Sequence, residues 1–349
     1  MTQHVLTGAT GFVGSHLLAE LLAGDPSDPV YALARSNSEL PAADRVDKAL
    51  QVAGFGDRDR SRLTVVESEL AEELCGVDPA TVERGDGPLI FWHLAASLQW
   101  RKGRRDQVFA TNVDGTRHAL ELARSMGADL FVYMSTAYTC GALHGDIPEE
   151  LHQPAAWSNV YEESKCAAEH LVAGFEGPRT LILRPSVIVG SSVDYKPSGS
   201  YTGLYGFLSE LRKFKEMLGD SDDSVRFTAD RSCRISFIPV DHIVTDSLSI
   251  VNAELAEPQR SIYHVTGRSE SAVGEFTDYM LKLLGMQDRL YIIDESFDDP
   301  STLERFFDKR IEFFSDYLRK EKRFVRTVPP ERSVLLNELT KYIDAENAL

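Results

Sequence analysis

Ten residues near the start of the chain, Val5-Leu6-Thr7-Gly8-Ala9-Thr10-Gly11-Phe12-Val13-Gly14, limit the folds open to it more than any other stretch. A short apolar run enters three glycines spaced three apart. The leucines that follow (Leu17, Leu18, Leu21, Leu22) share one face of a helix, and Gly24 is a stop signal just past its end. The order is strand, glycine turn, helix. Glycine lets the backbone turn tightly and pass close to a pyrophosphate, and the free N–H groups and dipole at the helix start face the phosphates. A plain strand-to-helix turn is the other reading. As the first unit of a long α/β chain, the pattern points to dinucleotide binding by Thr7, Gly8, Thr10, Gly11, Phe12, Val13 and Gly14.

A chain of 349 residues has room for one large α/β domain, or a core domain with a smaller companion. Its 37 basic and 54 acidic residues leave a net charge of −17. Such a surface repels nucleic acid and anionic membranes, so an anionic cofactor needs local cations. The four cysteines (Cys75, Cys140, Cys166, Cys233) are scattered and form no C-x-x-C, and no H-E-x-x-H occurs. Neither a zinc site nor a disulfide framework is expected. The first strand begins too close to Met1 for a signal peptide, and no apolar run reaches the roughly 18 residues of a membrane span. The expectation is a cytoplasmic chain with reduced thiols and no integral membrane segment.

Further along, Val30-Tyr31-Ala32-Leu33-Ala34 reads as a second strand ending at Arg35. In a dinucleotide fold this end lies against the adenosine ribose, where an acid suits a 2′-hydroxyl and an arginine a 2′-phosphate. Arg35, joined by Arg45 from a helix over Ala42 to Ala53, favours NADP(H) over NAD(H). Leu63 to Val66 is a third strand running into Glu67-Ser68-Glu69-Leu70, with Glu69 and Leu70 beside the adenine. A fourth, Pro88 to Trp92, runs into His93-Leu94-Ala95-Ala96. The small Ala95 and Ala96 allow close passage of the cofactor, and His93 reads as a structural hydrogen-bonding group. After a polar stretch, Gln99 to Gln107, Asn112 enters a helix that runs to Met126 and ties neighbouring backbone. Leu130 to Met134 is a fifth strand, and Ser135-Thr136 stand at its ligand-facing end.

Tyr161 and Lys165 are four apart and share a helical face. An ammonium beside a phenol favours the phenolate and lowers its pKa, so the tyrosine can exchange a proton at a carbonyl or alcohol held by a Ser or Thr hydroxyl. Alone, such a pair is an ordinary surface feature.

The order of these pieces resembles the extended short-chain dehydrogenase/reductase superfamily. The matching residues are Gly8, Gly11 and Gly14, His93-Leu94-Ala95-Ala96, Asn112-Val113-x-Gly115-Thr116, Ser135-Thr136, Tyr161-x-x-x-Lys165 and Leu183-Arg184-Pro185. The resemblance covers about the first 190 residues. It implies a doubly wound parallel (Rossmann) sheet with a smaller, mostly helical C-terminal substrate domain. It assigns Thr136 as the catalytic hydroxyl, with Ser135 as its alternative, and Tyr161 as proton donor. Lys165 would bond the nicotinamide ribose and tune Tyr161, Asn112 falls in the cofactor set, and Pro185, Ser186 and Val187 would line the nicotinamide. The glycine stretch, Val30 to Arg35, Ser135 to Tyr138 and Glu163-Ser164-Lys165 are similar to the thioester-reductase and fatty-acyl-CoA-reductase (male-sterility-like) branch, which uses NADPH. One departure is Glu67-Ser68-Glu69-Leu70, where that branch usually has Gly-Asp-Leu.

Past Gly190 the pattern weakens. A helix is expected near Leu204 to Leu218, and Ile235 to Ile243 and Ile262 to Val265 return to the core domain. The nucleotide domain is therefore placed at 1–190 plus about 235–266, and substrate residues at about 191–234 and 267–349. The C-terminal aromatics Phe306, Phe307, Phe313, Phe314, Tyr317 and Phe324 read first as helical packing on the core. The alternative is an acyl-chain wall or a groove for a carrier protein, with Lys320, Lys322, Arg323 and Arg326 meeting the phosphates of coenzyme A or a phosphopantetheine arm. The leading expectation is NADPH-dependent reduction of an acyl thioester, on coenzyme A or on a carrier protein in trans, to an aldehyde, with a second reduction to the alcohol left open. The rivals are a ketone or aldehyde reductase, a nucleotide-sugar epimerase, and a non-catalytic NADP-sensing protein. A homodimer through the helices at Asn112 and Tyr161 is expected by analogy only.

Overall fold

Apolar runs such as Val5-Leu6 and Leu89-Ile90-Phe91-Trp92 lack the alternation of a half-exposed strand, and the computed structural model of the chain shows why. It describes residues 1–197, 202–219, 221–268, 271–328 and 334–347. Among these, seven strands form one parallel sheet: β1 (Gln3–Thr7), β2 (Val30–Ala34), β3 (Leu63–Glu67), β4 (Leu89–His93), β5 (Leu130–Met134), β6 (Arg179–Pro185) and β7 (Ile262–Val265). Their order across the sheet is β7-β6-β5-β4-β1-β2-β3. Every residue of β1, β4 and β5 is buried, whereas no residue of the edge strand β3 is. Phe91 and Phe131 stack across β4 and β5 at 5.4 Å, within a core that includes Val5, Leu33, Leu120 and Ile182.

The crossovers are helical: α1 (Phe12–Ala23), α2 (Ala42–Val52), α3 (Gly115–Ser125), α4 (Val160–Ala173) and α5 (Val240–Ala256). Because all seven strands are parallel, Thr7, Ala34, His93, Met134 and Pro185 end on the same edge. The strand order reverses between β1 and β4, and that crevice is where open α/β sheets bind ligands.

The chain divides into two compact units, the first being Met1–Ala142, Glu149–Pro185 and Val240–Val265, and the second Leu143–Pro148, Ser186–Pro239 and Thr266–Leu349. The changes therefore fall at 185 and 239 instead of near 190 and 235. Phe237–Pro239 pairs in parallel with Val187–Val189, so both segments belong to the second unit. That unit has its own core, built around the helix Gly203–Leu218 with Phe214, Phe227, Phe276, Phe307 and Tyr342. Two further parallel pairs lie within it, Val225–Thr228 with Leu290–Ile293 and Gly145–Ile147 with Lys322–Phe324.

In the C-terminal stretch, part of the aromatic set packs on the core, whereas Phe306 is exposed. Phe307 is fully buried, and Phe314 and Tyr317 pack against that core. Phe324 lies in a strand, so the helical spacing does not run through to it. The basic residues there do not form a free cationic face. Lys320 pairs with Asp316 at 3.2 Å, Arg323 pairs with Asp146 at 2.7 Å, and Lys322 is buried. The Nε of Arg326 donates to the carbonyl of Val328. Among the described residues no helix is long and apolar enough to cross a membrane.

Candidate active site

The glycine turn packs so closely that no side chain fits. Gly8 has φ +75°, and a Cβ there would lie 2.7 Å from the Ala95 nitrogen; one on Gly14 would lie 2.0 Å from the Gly8 carbonyl oxygen. Gly11 is the N-cap of α1, with no side-chain cap and no acid in the first turn. The orphan N–H groups of that turn are thus open to an anion, as a pyrophosphate site requires. Phe12 stands at the head of the helix, its carbonyl bonded by the side chains of Ser15 and His16.

Behind the turn, Thr7 faces inward. Its hydroxyl bonds His93 Nδ1 at 2.8 Å, while His93 Nε2 bonds Thr116 Oγ1 at 3.1 Å. Thr116 donates to the Asn112 carbonyl, so its oxygen accepts from Nε2–H, and Nδ1 accepts from Thr7. Burial holds the His93 pKa down at about 3, with the Lys165 charge adding to the effect. The imidazole is a neutral brace tying β1, β4 and α3, as the sequence suggested.

Asn112 sits in a π-helical turn, Ala110–Asp114. Its side chain accepts from Ser97 N–H at 2.7 Å and donates to the Ser97 carbonyl at 3.0 Å and to Ser164 Oγ at 2.9 Å. It joins the loop after β4 to α4, the helix carrying Tyr161 and Lys165. Asn159 caps that helix by accepting from Glu162 N–H at 3.0 Å. Four basic residues, Arg101, Lys102, Arg104 and Arg105, lie in a stretch read from the sequence as merely polar. Arg105 pairs with Glu163 of α4 at 2.7 Å, and Val160 N–H donates to the Trp100 carbonyl at 3.3 Å. The stretch is therefore tied to the first turn of α4.

Lys165 is 2% exposed and donates to the Met134 carbonyl at 2.7 Å, with its ammonium 4.0 Å from the centre of the Tyr133 ring. Burial pushes its pKa down to about 7, opposed by the charge of Glu169. The ammonium is thus fixed to the last residue of β5, next to Ser135 and Thr136. Tyr161 is one turn away on α4. Its phenol is raised above its ordinary pKa by burial, with Glu162 adding to the shift. The expected lowering by Lys165 is not found, because the ammonium is directed at the Met134 carbonyl. The consequence is a fully protonated phenol at neutral pH, the state a proton donor needs.

Of the two strand-end hydroxyls, the structure separates the roles. Ser135 Oγ donates to Glu169 Oε1 at 2.5 Å, inside a buried network. Arg184 meets the same carboxylate through Nε at 2.9 Å and through a second nitrogen at 2.7 Å, and both side chains are fully buried. His152 Nε2 lies 3.3 Å from Arg184, and His152 Nδ1 lies 3.2 Å from Thr139 Oγ1. Ser135 is therefore committed to holding β5, β6 and α4 together. Thr136 accepts only a long bond from Tyr138 N–H, 3.3 Å, and is the hydroxyl that a ligand can recruit.

At the opposite end, Arg35 follows β2 and pairs with Glu69 at 3.6 Å, both side chains being largely exposed. Arg45 reaches back from α2 to the Arg35 carbonyl. The structure thus brings both predicted arginines to the end of β2. Leu70 packs against the first unit's core, and its carbonyl is bonded by His118 of α3. Pro185 ends β6 opposite Val265. Ser186 and Val187 belong to the second unit, where the hydroxyls of Ser186 and Ser236 are 2.8 Å apart and Val187 N–H donates to the Ser236 carbonyl.

This parallel sheet and its glycine turn make a dinucleotide-binding fold of the extended short-chain dehydrogenase/reductase type, with Thr136 just past the end of β5 and Tyr161 and Lys165 on α4. The family described as male sterility protein matches residues 6–247, and the chain belongs to that family. It is 27% identical over 327 residues to fatty acyl-CoA reductase 1 of Rattus norvegicus, covering 79% of this chain and 60% of that protein. It is 27% identical over 301 residues to the L-2-aminoadipate reductase large subunit of Eremothecium gossypii, covering 80% of this chain and 21% of that protein. In fold it is similar to the terminal R domain of the myxalamid PKS-NRPS pathway, with TM-score 0.73 and 20% identity over 99% of this chain and 90% of that one. A UDP-galactose 4-epimerase aligns at TM-score 0.64 and 20% identity, over 99% of this chain and 100% of that one.

Proposed function

We propose that the chain reduces an acyl thioester with NADPH, releasing an aldehyde and, by a second hydride, an alcohol. The nicotinamide supplies the hydride when it is bound. Thr136 and the protonated phenol of Tyr161 donate hydrogen bonds to the oxygen on which negative charge develops, and Tyr161 then gives up its proton to it. The resulting hemithioacetal expels the thiol to leave the aldehyde. Lys165, anchored on the Met134 carbonyl, fixes the helix turn below Tyr161 and carries the ribose contact. Arg35 and Arg45 favour a 2′-phosphate.

The observation that carries the chemistry is the placing of Tyr161 one turn from Lys165 on α4, with the Lys165 ammonium fixed to the end of the strand that leads into Thr136. The thioester is supported by the names of the relatives, among them a fatty acyl-CoA reductase and a solved thiolation-reductase di-domain. The carrier is coenzyme A or a phosphopantetheine arm. The test is NADPH oxidation with a panel of acyl-CoA thioesters and matched aldehydes. Thioester turnover that disappears in Tyr161→Phe is the expected result. Turnover of aldehydes or ketones alone would move the chain to a carbonyl reductase.

A further inference from the structure

The corner that receives the adenosine ribose holds two carboxylates as well as two arginines. Ala34 of β2 lies opposite Glu67 of β3, which brings the Glu67 side chain to the residues that follow β2. Its two oxygens take both donors of Ser36, the backbone N–H at 2.6 Å and the hydroxyl at 2.7 Å. The Ser36 oxygen in turn accepts from Ala42 N–H at the start of α2. Next to it Glu69 pairs with Arg35, and Arg45 bonds the Arg35 carbonyl. Two cations thus face two anions, and the corner as folded has little net charge. A 2′-phosphate is held by positive charge together with N–H and O–H donors, and those at Ser36 are already taken. A 2′-hydroxyl carries no charge for either carboxylate to repel. The bonds from Ser36 and the charge of Arg45 hold the Glu67 pKa below its usual value, so the group is ionised at neutral pH.

We propose that Glu67 sets the coenzyme preference of this chain, holding the Ser36 donors against a 2′-phosphate and so letting a cofactor with a free 2′-hydroxyl compete. This rests on the reading that Arg35 stands at the adenosine ribose. A phosphate bound at this corner would lose a like-charge repulsion on removal of the Glu67 charge and bind more tightly, and the hydroxyl form has no such repulsion to lose. Glu67→Gln keeps the size of the side chain, removes its charge and, with one acceptor oxygen in place of two, releases one of the two Ser36 donors.

The experiment is equilibrium titration of NADP⁺ and NAD⁺ by isothermal calorimetry at one fixed ionic strength, on the unaltered chain, Glu67→Gln and Arg35→Gln. In Glu67→Gln the affinity for NADP⁺ is expected to rise by about ten-fold, with NAD⁺ changed by less than about two-fold. Unchanged or weaker NADP⁺ binding in Glu67→Gln, with NADP⁺ selectively weakened in Arg35→Gln, overturns the role of Glu67 and leaves the ribose reading standing. If Arg35→Gln leaves the NADP⁺ to NAD⁺ ratio unchanged, the corner does not meet the 2′-position and both fall. A melting curve for each variant separates loss of binding from loss of fold.

Discussion

The two ends of the candidate site treat charge in opposite ways. Around β5, β6 and α4, the Arg184–Glu169 pair has no exposed side-chain surface, and Lys165 is buried beside it. At the ends of β2 and β3, Arg35 and Glu69 remain 65% and 42% exposed. A charge sealed in the interior cannot change partner without a large cost, so the first end is a fixed frame for Thr136 and Tyr161. A charge in water exchanges partners at little cost, so the second end can be adjusted to the cofactor. Chemistry needs the first property and selectivity tolerates the second.

The sharpest way to break this contrast is at the chemical end. Tyr161→Phe removes the proposed proton donor and is expected to lower kcat by about 10² to 10⁴. Calorimetry should find cofactor affinity within about three-fold of the original. Thr136→Ala should cost about 10² to 10³ through the lost oxyanion bond, while Ser135→Ala costs less than about ten-fold because its hydroxyl serves Glu169. Equal losses in the two hydroxyl variants would show that Ser135 shares the oxyanion role.

Next in size is the frame itself. Glu169→Gln leaves Arg184 buried without its counter-charge and should destabilise the fold by about 3 to 5 kcal/mol in denaturant unfolding. The partly exposed counterpart, Glu69→Gln, should change stability by less than about 1 kcal/mol. Similar values for the two would erase the contrast between the buried and the exposed end.

A smaller effect is expected in the pH dependence. Lys165 has a pKa of about 7 in the folded cofactor-free chain against 10.5 for the free side chain. Between these values the unfolded chain carries a proton on Lys165 that the folded chain lacks, so stability attributable to this group rises with pH across that window. Below about 7 the cost of a buried ammonium is present in full. Lys165→Met should lose that slope, read as the change of unfolding midpoint between pH 7 and pH 10. Parallel curves for the two proteins would place the Lys165 pKa near its ordinary value.

How much of this was legible in the sequence follows from what periodicity reports. The apolar runs of β1, β4 and β5 and the glycine turn mark burial and backbone geometry, and both are local properties. His93 could be assigned as a brace because its neighbours on the strand are all apolar. Partners across elements leave no local trace. Glu169 and Arg184 are 15 residues apart, Ser36 and Glu67 are 31 apart, and nothing in either segment names the other. The lowered phenol expected at Tyr161 failed for the same reason. Spacing of four puts Lys165 on the right face, but it does not tell that the Met134 carbonyl takes the ammonium. The unit boundary was misplaced by a few residues because Phe237–Pro239 is apolar enough for either core, and only its pairing with Val187–Val189 decides.

The strand order carries a consequence for how the sheet is assembled during synthesis. Each successive strand from β1 to β7 joins an outer edge of those already present, β2 and β3 on one side of β1, and β4 to β7 on the other. None has to be inserted between two strands already paired. A chain emerging N-terminus first can therefore add strands by accretion, with native neighbours at every stage. The last edge waits for Ile262–Val265, after the segments 143–148 and 186–239 of the second unit have been made.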